Sequence, residues 1–227
     1  VLAELDADVL ALQEVSARRG GRGDIDQFRH LARSTGMRAL EGATLRSPGA
    51  HYGNVLLTRL PVLRVERLDL TQPGREPRGA IDAVLDGPAG PLRVMSAHLG
   101  LRRRERRAQA LRLAERLREA PEPLVLLLGD LNSPIGRSIA ALRRAVGRLR
   151  GPRSFPARRP LLRLDRVAAR PGGALRCVAA HRSPTARIAS DHLPVRALVD
   201  PGAAHTSTGD GDGDGDGDRD GIRRGDA

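Results

Sequence analysis

Several apolar runs in this chain stop abruptly on residues able to do acid, base or metal chemistry. VLALQEV places Gln13 and Glu14 directly after aliphatics, VMSAHLGL does the same with His98, and VLLLGDLNSP with Asp130 and Asn132. ASDHLPV sets Asp191 and His192 just before a last apolar run, and LRLDRVAA embeds Asp165 in a strand-like segment. Each has an ordinary explanation when taken alone: Asp130 as a helix cap, Asp191 as a turn residue, His98 as a hydrogen-bonded core histidine. A layered sandwich, however, brings the ends of several strands to one rim. Carboxylates and an amide converging there suit a hard divalent cation with oxygen ligands, most simply Mg²⁺. Two histidines beside such a cation suit phosphoryl chemistry, which needs an activated water and compensation of developing charge.

The elements that must position these residues follow from the apolar spacing. Leu2, Leu5, Val9, Leu10 and Leu12 begin at helical spacing and turn into a short strand. A helix is expected from Asp24 to Thr35, ended by Gly36, followed by strands at 54–59, 79–86 and 92–99. The segment 102–120 predicts an amphipathic helix, with Ala108, Leu111, Ala114 or Glu115, and Leu117 or Arg118 at three-to-four spacing and an Arg-rich outer face. The aliphatic run 124–128 reads as a strand buried on both faces, with Asp130 and Asn132 two residues apart and pointing to one side. A helix near 136–146 and strands near 163–169, 174–180 and 194–199 complete an α+β layered sandwich.

These motifs resemble the endonuclease/exonuclease/phosphatase superfamily of metal-dependent phosphoesterases. LQEV looks like its metal-binding strand end, AHLGL like its histidine motif, GDLNSP like its GD-x-N motif and SDHLPV like its terminal SDH-x-P signature. The resemblance covers nearly all of residues 1 to 200, and GD-x-N followed about sixty residues later by SDH-x-P is a specific combination. It implies a four-layered α/β/β/α sandwich with two mixed β-sheets packed face to face, as in pancreatic deoxyribonuclease. It further implies that Glu14 binds the metal, that Asp191 completes the cation's surroundings or polarises water, that Asp130 orients or activates the attacking water, and that Asn132 contacts metal or phosphate. His192 would touch the scissile phosphate, Asp165 would hold that histidine charged, and His98 would act at the phosphate or as general acid. Arg78, in EPRGA, matches the family's phosphate-contacting arginine; an ordinary surface arginine is the alternative reading. Mg²⁺, with Mn²⁺ as substitute, is the implied cofactor, and a phosphodiester is the implied substrate class, nucleic acid among the options. Members of this family usually open with a strand ending in asparagine; this chain begins after that point, so an upstream start is expected.

Composition bounds the remainder. The 227 residues fit one domain, expected over 1–201, and a Gly/Asp-rich segment at 202–227 with too little apolar content to fold, expected as a disordered tail. All 39 basic residues are Arg, and the formal net charge of +12 favours a phosphate-bearing partner. A single cysteine, Cys177, excludes an intramolecular disulfide and reads as a small buried hydrophobe. No membrane span or signal segment is visible, which suits a cytoplasmic monomer. With no Trp and only Phe28, Tyr52 and Phe155, a stacking platform for bases and an aromatic lipid anchor are both poorly supported. The competing readings are a non-catalytic Arg-rich nucleic-acid-binding module on a degenerate hydrolase scaffold, and a lipid or small-molecule phosphoesterase.

Overall fold

The computed structural model describes residues 1–18 and 25–204 of the chain. Of the tail expected over 202–227, residues 202–204 belong to a 3-10 turn at Pro201–Ala204; the rest of it, and the first residue of the helix expected from Asp24, lie outside the described residues. In chain order, α1 (Leu2–Leu5) leads into β1 (Val9–Arg18), and β2 (Ile25–Asp26) runs directly into α2 (Gln27–Thr35). Then come β3 (Arg38–Ser47), β4 (Ala50–Thr58), β5 (Val62–Asp69), β6 (Gly79–Gly87), β7 (Gly90–Ala97), α3 (Arg103–Arg118) and β8 (Leu124–Asp130). A 3-10 turn at Arg137–Ile139 opens α4 (Ala140–Val146), followed by β9 (Asp165–Arg170), β10 (Leu175–Ala180), α5 (Ala186–Ala189) and β11 (Val195–Val199).

The strands make a four-stranded sheet ordered β2-β1-β4-β3, a five-stranded sheet ordered β5-β6-β7-β8-β9, and a β10-β11 ribbon. The β7–β8 pair is parallel because α3 crosses between them, so the five-stranded sheet is mixed; the described pairs of the four-stranded sheet are antiparallel. On its other edge, among the described residues, β1 is paired at Ala17 and Arg18, by β2.

Side-chain alternation assigns three cores to these layers. Leu124 and Leu126 of β8 join Leu92 and Val94 of β7, Ile81 and Ala83 of β6 and Leu56 of β4 in the core between the sheets. Val125 and Leu127 point the opposite way and pack with Met95, Leu113 and Leu117, covered by α3 and α4. Val55 and Leu57 of β4, with Leu10 and Phe28, fill the third core, under α2. The result is the expected order of helix, sheet, sheet and helix. The strand-and-helix reading therefore holds at β8, whose apolar side chains alternate into two different cores.

Local chemistry sets the element ends. The Asp26 carboxylate accepts the Arg29 amide at 2.9 Å and caps α2, which starts after Asp26 rather than at Asp24. Gly36 ends it in the left-handed conformation, φ 66°. In α3 the buried positions are Glu105, Gln109, Ala110, Leu113, Ala114 and Leu117, and Leu111 is exposed, which corrects the apolar side expected from spacing. The reason is polar: Gln109 is held inside by the Leu70 carbonyl, to which it donates at 3.0 Å, and by the Gly100 amide, from which it accepts at 2.8 Å. Cys177 is exposed on the ribbon and not buried, because the inward positions of β10 fall on other residues. Strands β3 and β5 escaped the sequence reading; both are largely solvent-facing and lack a continuous buried run.

Candidate active site

Three strands deliver acid–base groups to one end of the space between the sheets. Along β8 the series Leu124, Leu126, Leu128 faces that space, and Asp130 continues it; in β9, Asp165 precedes Val167 and Ala169 on the same face. His98 follows β7 in register with Leu92 and Val94. Because β7 and β8 are parallel and β9 is antiparallel to β8, the ends carrying His98, Asp130 and Asp165 coincide. Gly129 makes this possible: its φ is 139°, and a Cβ there would lie 2.0 Å from the Ala97 carbonyl oxygen, so only glycine lets β8 end this close to β7.

Asn132 does not continue the strand. It sits past β8 with φ 49°, its main-chain N–H donating to Asp130 Oδ1 at 2.8 Å and its Nδ2 donating to the Leu99 carbonyl at 2.8 Å. The same-side placement expected from two-residue spacing is thus replaced by a turn closed on the Asp130 carboxylate. Glu14 is also in the left-handed region, φ 60°, at a bulge where the β1–β4 register shifts between Leu12 and Val15. The extra residue resets the alternation: Leu10 and Leu12 before it, and Val15 and Ala17 after it, all belong to the core under α2. Glu14 is thereby turned out, exposed, with the Tyr52 hydroxyl hydrogen-bonded to its carboxylate. Of the three non-glycine residues with positive φ among the described residues, two are therefore candidate site residues.

Two histidine–carboxylate pairs define the floor. His98 Nε2 lies 3.6 Å from Asp130 Oδ2, both side chains nearly buried. His192 Nδ1 lies 2.9 Å from Asp165 Oδ2, an oxygen that also accepts the Ser154 hydroxyl. The environments push these pairs apart. Burial, the Arg78 guanidinium and His192 hold His98 down to about 3, so it is neutral. Burial, with the neighbouring Asp165 charge, raises Asp130 to about 6. Burial disfavours the charged form of His192, but the hydrogen bond and charge of Asp165, with Asp130 and Asp191, outweigh it and raise its pKa above the usual value.

Arg78 is buried at 6 % exposure, which excludes the surface reading. Its Nη1 stands 3.5 Å from His98 Nδ1, and Glu76 holds the guanidinium at 3.2 and 3.0 Å. Asp191 is exposed; its main-chain oxygen accepts the Ala157 amide at 2.6 Å, and its charge acts on His192. Arg78, His98, Asp130, Asn132, Asp165 and His192 thus come together, while Glu14 and Asp191 flank them without a hydrogen bond to the group among the described residues.

Four contributors escaped the sequence reading: Ser154 on Asp165, Glu76 on Arg78, Tyr52 on Glu14, and Phe155, whose ring lies 4.8 Å from that of His192. Only Glu76 had a local signal, two residues before Arg78 in EPRGA. Among the described residues, no three His, Cys, Asp or Glu side chains close on one point as a metal cage. Mg²⁺ retains most of its waters and takes one or two carboxylates, the donor type that the exposed Glu14 and Asp191 offer.

The family described as Endonuclease/Exonuclease/phosphatase matches residues 1–192. Among curated proteins, YbhP of Escherichia coli strain K12 is 32% identical over 220 residues, covering 86% of this chain and 84% of its own. Among solved structures, an endonuclease/exonuclease/phosphatase from Beutenbergia cavernae superposes with a TM-score of 0.66 at 23% identity, over 86% of this chain and 62% of that one. The truncated TDP2 of Caenorhabditis elegans superposes at 0.63 with 16% identity, covering 86% of this chain and 85% of that one, and these structural likenesses establish the fold. The strand ends that gather histidines and carboxylates at one rim, the four-layer order and the family match agree: this chain belongs to the endonuclease/exonuclease/phosphatase family.

Proposed function

We propose that the protein is a Mg²⁺-dependent phosphoesterase that hydrolyses a phosphodiester by in-line attack of water, with residues 1–201 as its catalytic unit. The observation that carries this is the opposed pair of environments: a neutral buried His98 against Asp130, and a His192 whose charged form is favoured by Asp165 at 2.9 Å. Groups whose proton affinities are driven apart at one site mark acid and base assignments.

Asp130, poised at about 6, is largely ionised at neutral pH and basic enough to draw a proton from the attacking water. The Asn132 amide N–H orients its Oδ1, leaving Oδ2 toward His98. His192 and Arg78 bring positive charge to the phosphoryl oxygens, where it rises in value as the transition state accumulates negative charge. His98, neutral, hydrogen-bonds a phosphoryl or leaving oxygen. Glu14 and Asp191 would hold the cation, which supplies Lewis-acid charge neutralisation.

The test is hydrolysis of bis(p-nitrophenyl) phosphate and a panel of phosphate esters with Mg²⁺ or Mn²⁺. Activity abolished by EDTA, restored by Mg²⁺, and lost in His98→Ala and Asp165→Ala variants that still fold is the expected result. Full activity in those variants overturns the reading.

A further inference from the structure

Among the described residues nine large hydrophobic side chains stand exposed, and five of them sit on segments next to the two histidine–carboxylate pairs, four in loops and Ile188 in the short α5. Leu101 follows His98, Ile135 follows Asn132, Leu161 and Leu162 precede Asp165, and Ile188 precedes Asp191, with exposures of 68, 82, 65, 40 and 77%. The other four are scattered over β3, β5, α3 and β11. A single exposed leucine is ordinary; five on the segments next to His98, Asn132, Asp165 and Asp191 are a pattern.

Each apolar tip carries an arginine beside it. Arg102 follows Leu101, Arg137 comes two after Ile135, Arg163 follows Leu162 and Arg187 precedes Ile188, all exposed. The loops are also tied to one another, so the tips are held outward. Arg106 donates to the Leu101 carbonyl and, at 3.2 Å, to Ser138, which pairs with Ser133 at 2.9 Å. Across the rim, Leu162 donates to the Phe155 carbonyl at 2.8 Å, and Ala157 to that of Asp191 at 2.6 Å.

An aliphatic tip next to a guanidinium matches the boundary of an anionic bilayer, where the side chain enters the acyl border and the charge meets headgroup phosphate. A nucleic-acid backbone would use the arginines but has no counterpart for aliphatic tips, and none of Phe28, Tyr52 and Phe155 is exposed to stack on a base. We propose that this rim docks on an anionic lipid surface and that the phosphoester cleaved is part of a lipid headgroup presented there; the second clause rests on the phosphoesterase reading above.

The experiment is flotation of the full chain with phosphatidylcholine vesicles, with and without phosphatidylglycerol, beside hydrolysis of bis(p-nitrophenyl) phosphate. Binding to the phosphatidylglycerol vesicles is expected, falling at least about tenfold in the Leu101→Ser/Ile135→Ser/Leu161→Ser/Ile188→Ser variant while the soluble ester is cleaved at the parent rate. The pair Leu101→Ser/Ile188→Ser, checked by its unfolding midpoint, gives the same direction if the fourfold variant fails to fold. Binding unchanged in the pair overturns the docking surface, as does binding that an oligonucleotide competes away completely. Vesicle binding without hydrolysis of any ester would instead overturn the phosphoesterase reading and leave the docking surface standing.

Discussion

His192 Nδ1 and Asp165 Oδ2 stand 2.9 Å apart, and the Ser154 hydroxyl donates to that same carboxylate oxygen. The contact does two things at once: it orients the imidazole and, against a burial that opposes it, favours its charged form. In Asp165→Asn the charge is lost and the imidazole pKa falls. The alkaline limb of the pH–rate profile should therefore move to lower pH, and kcat/KM should drop by roughly 10²–10³-fold. Proton NMR titration of His192 checks the same shift without turnover.

Asp130 predicts the acid limb and a trade of stability for function. Its folded pKa, about 6, lies above the value of 3.8 expected when unfolded, so its ionised form disfavours the fold. That penalty is absent below 3.8, grows as pH rises between 3.8 and about 6, and is complete above it. Asp130→Asn should thus stabilise the protein at pH 8, by up to roughly 3 kcal/mol, with the gain vanishing near pH 4, while activity is lost. Urea unfolding at the two pH values measures it. In the parent protein, activity should fall as pH drops through about 6.

A buried ion pair far from the rim carries a separate prediction. Arg93 Nε donates to Asp82 Oδ1 at 2.7 Å, Arg116 joins from α3 at 3.2 Å, and the first two side chains are 3 and 2% exposed. Removing Asp82 leaves the buried Arg93 with only Glu122, at 3.4 Å, to compensate its charge. Asp82→Ala should cost about 3–5 kcal/mol in denaturant unfolding, with the specific activity of the folded fraction unchanged.

Gly129 is testable by a single methyl group. In Gly129→Ala the new Cβ meets the Ala97 carbonyl oxygen at 2.0 Å, on a backbone with φ 139°. The variant should lose at least about 2 kcal/mol of stability, and its residual activity should fall because the next residue is Asp130. An unfolding midpoint equal to that of the parent would show that the close approach is not needed.

Much of this site was legible because its chemistry is punctuated. Aliphatic runs that stop on His98 and Asp130 mark strand ends, and strand ends in a sandwich share a rim; the strand end expected at Glu14 is instead a bulge inside β1, which runs on to Arg18. Position was harder to read than identity. The two-residue spacing of Asp130 and Asn132 suggested one strand face, but Asn132 turns back with φ 49° to cap its neighbour. Arg78 was recognisable by motif, yet its burial depends on Glu76 and His98 packing around it. Ser154, Tyr52 and Phe155 act across loops and sheets, where no local pattern reports them. Strands β3 and β5 stayed hidden for the opposite reason, since solvent-facing strands lack the long apolar run that reveals β8.

Strand β8 has no idle side. Val125 and Leu127 belong to one core and Leu124 and Leu126 to another, so a slip of one residue would exchange every contact in both. The carboxylate at its tip is consequently fixed at the junction of two packed walls and has no room for gradual repositioning. Diversification toward a different ester would then be confined to the segments beyond the strand ends, where a residue can change without disturbing either wall.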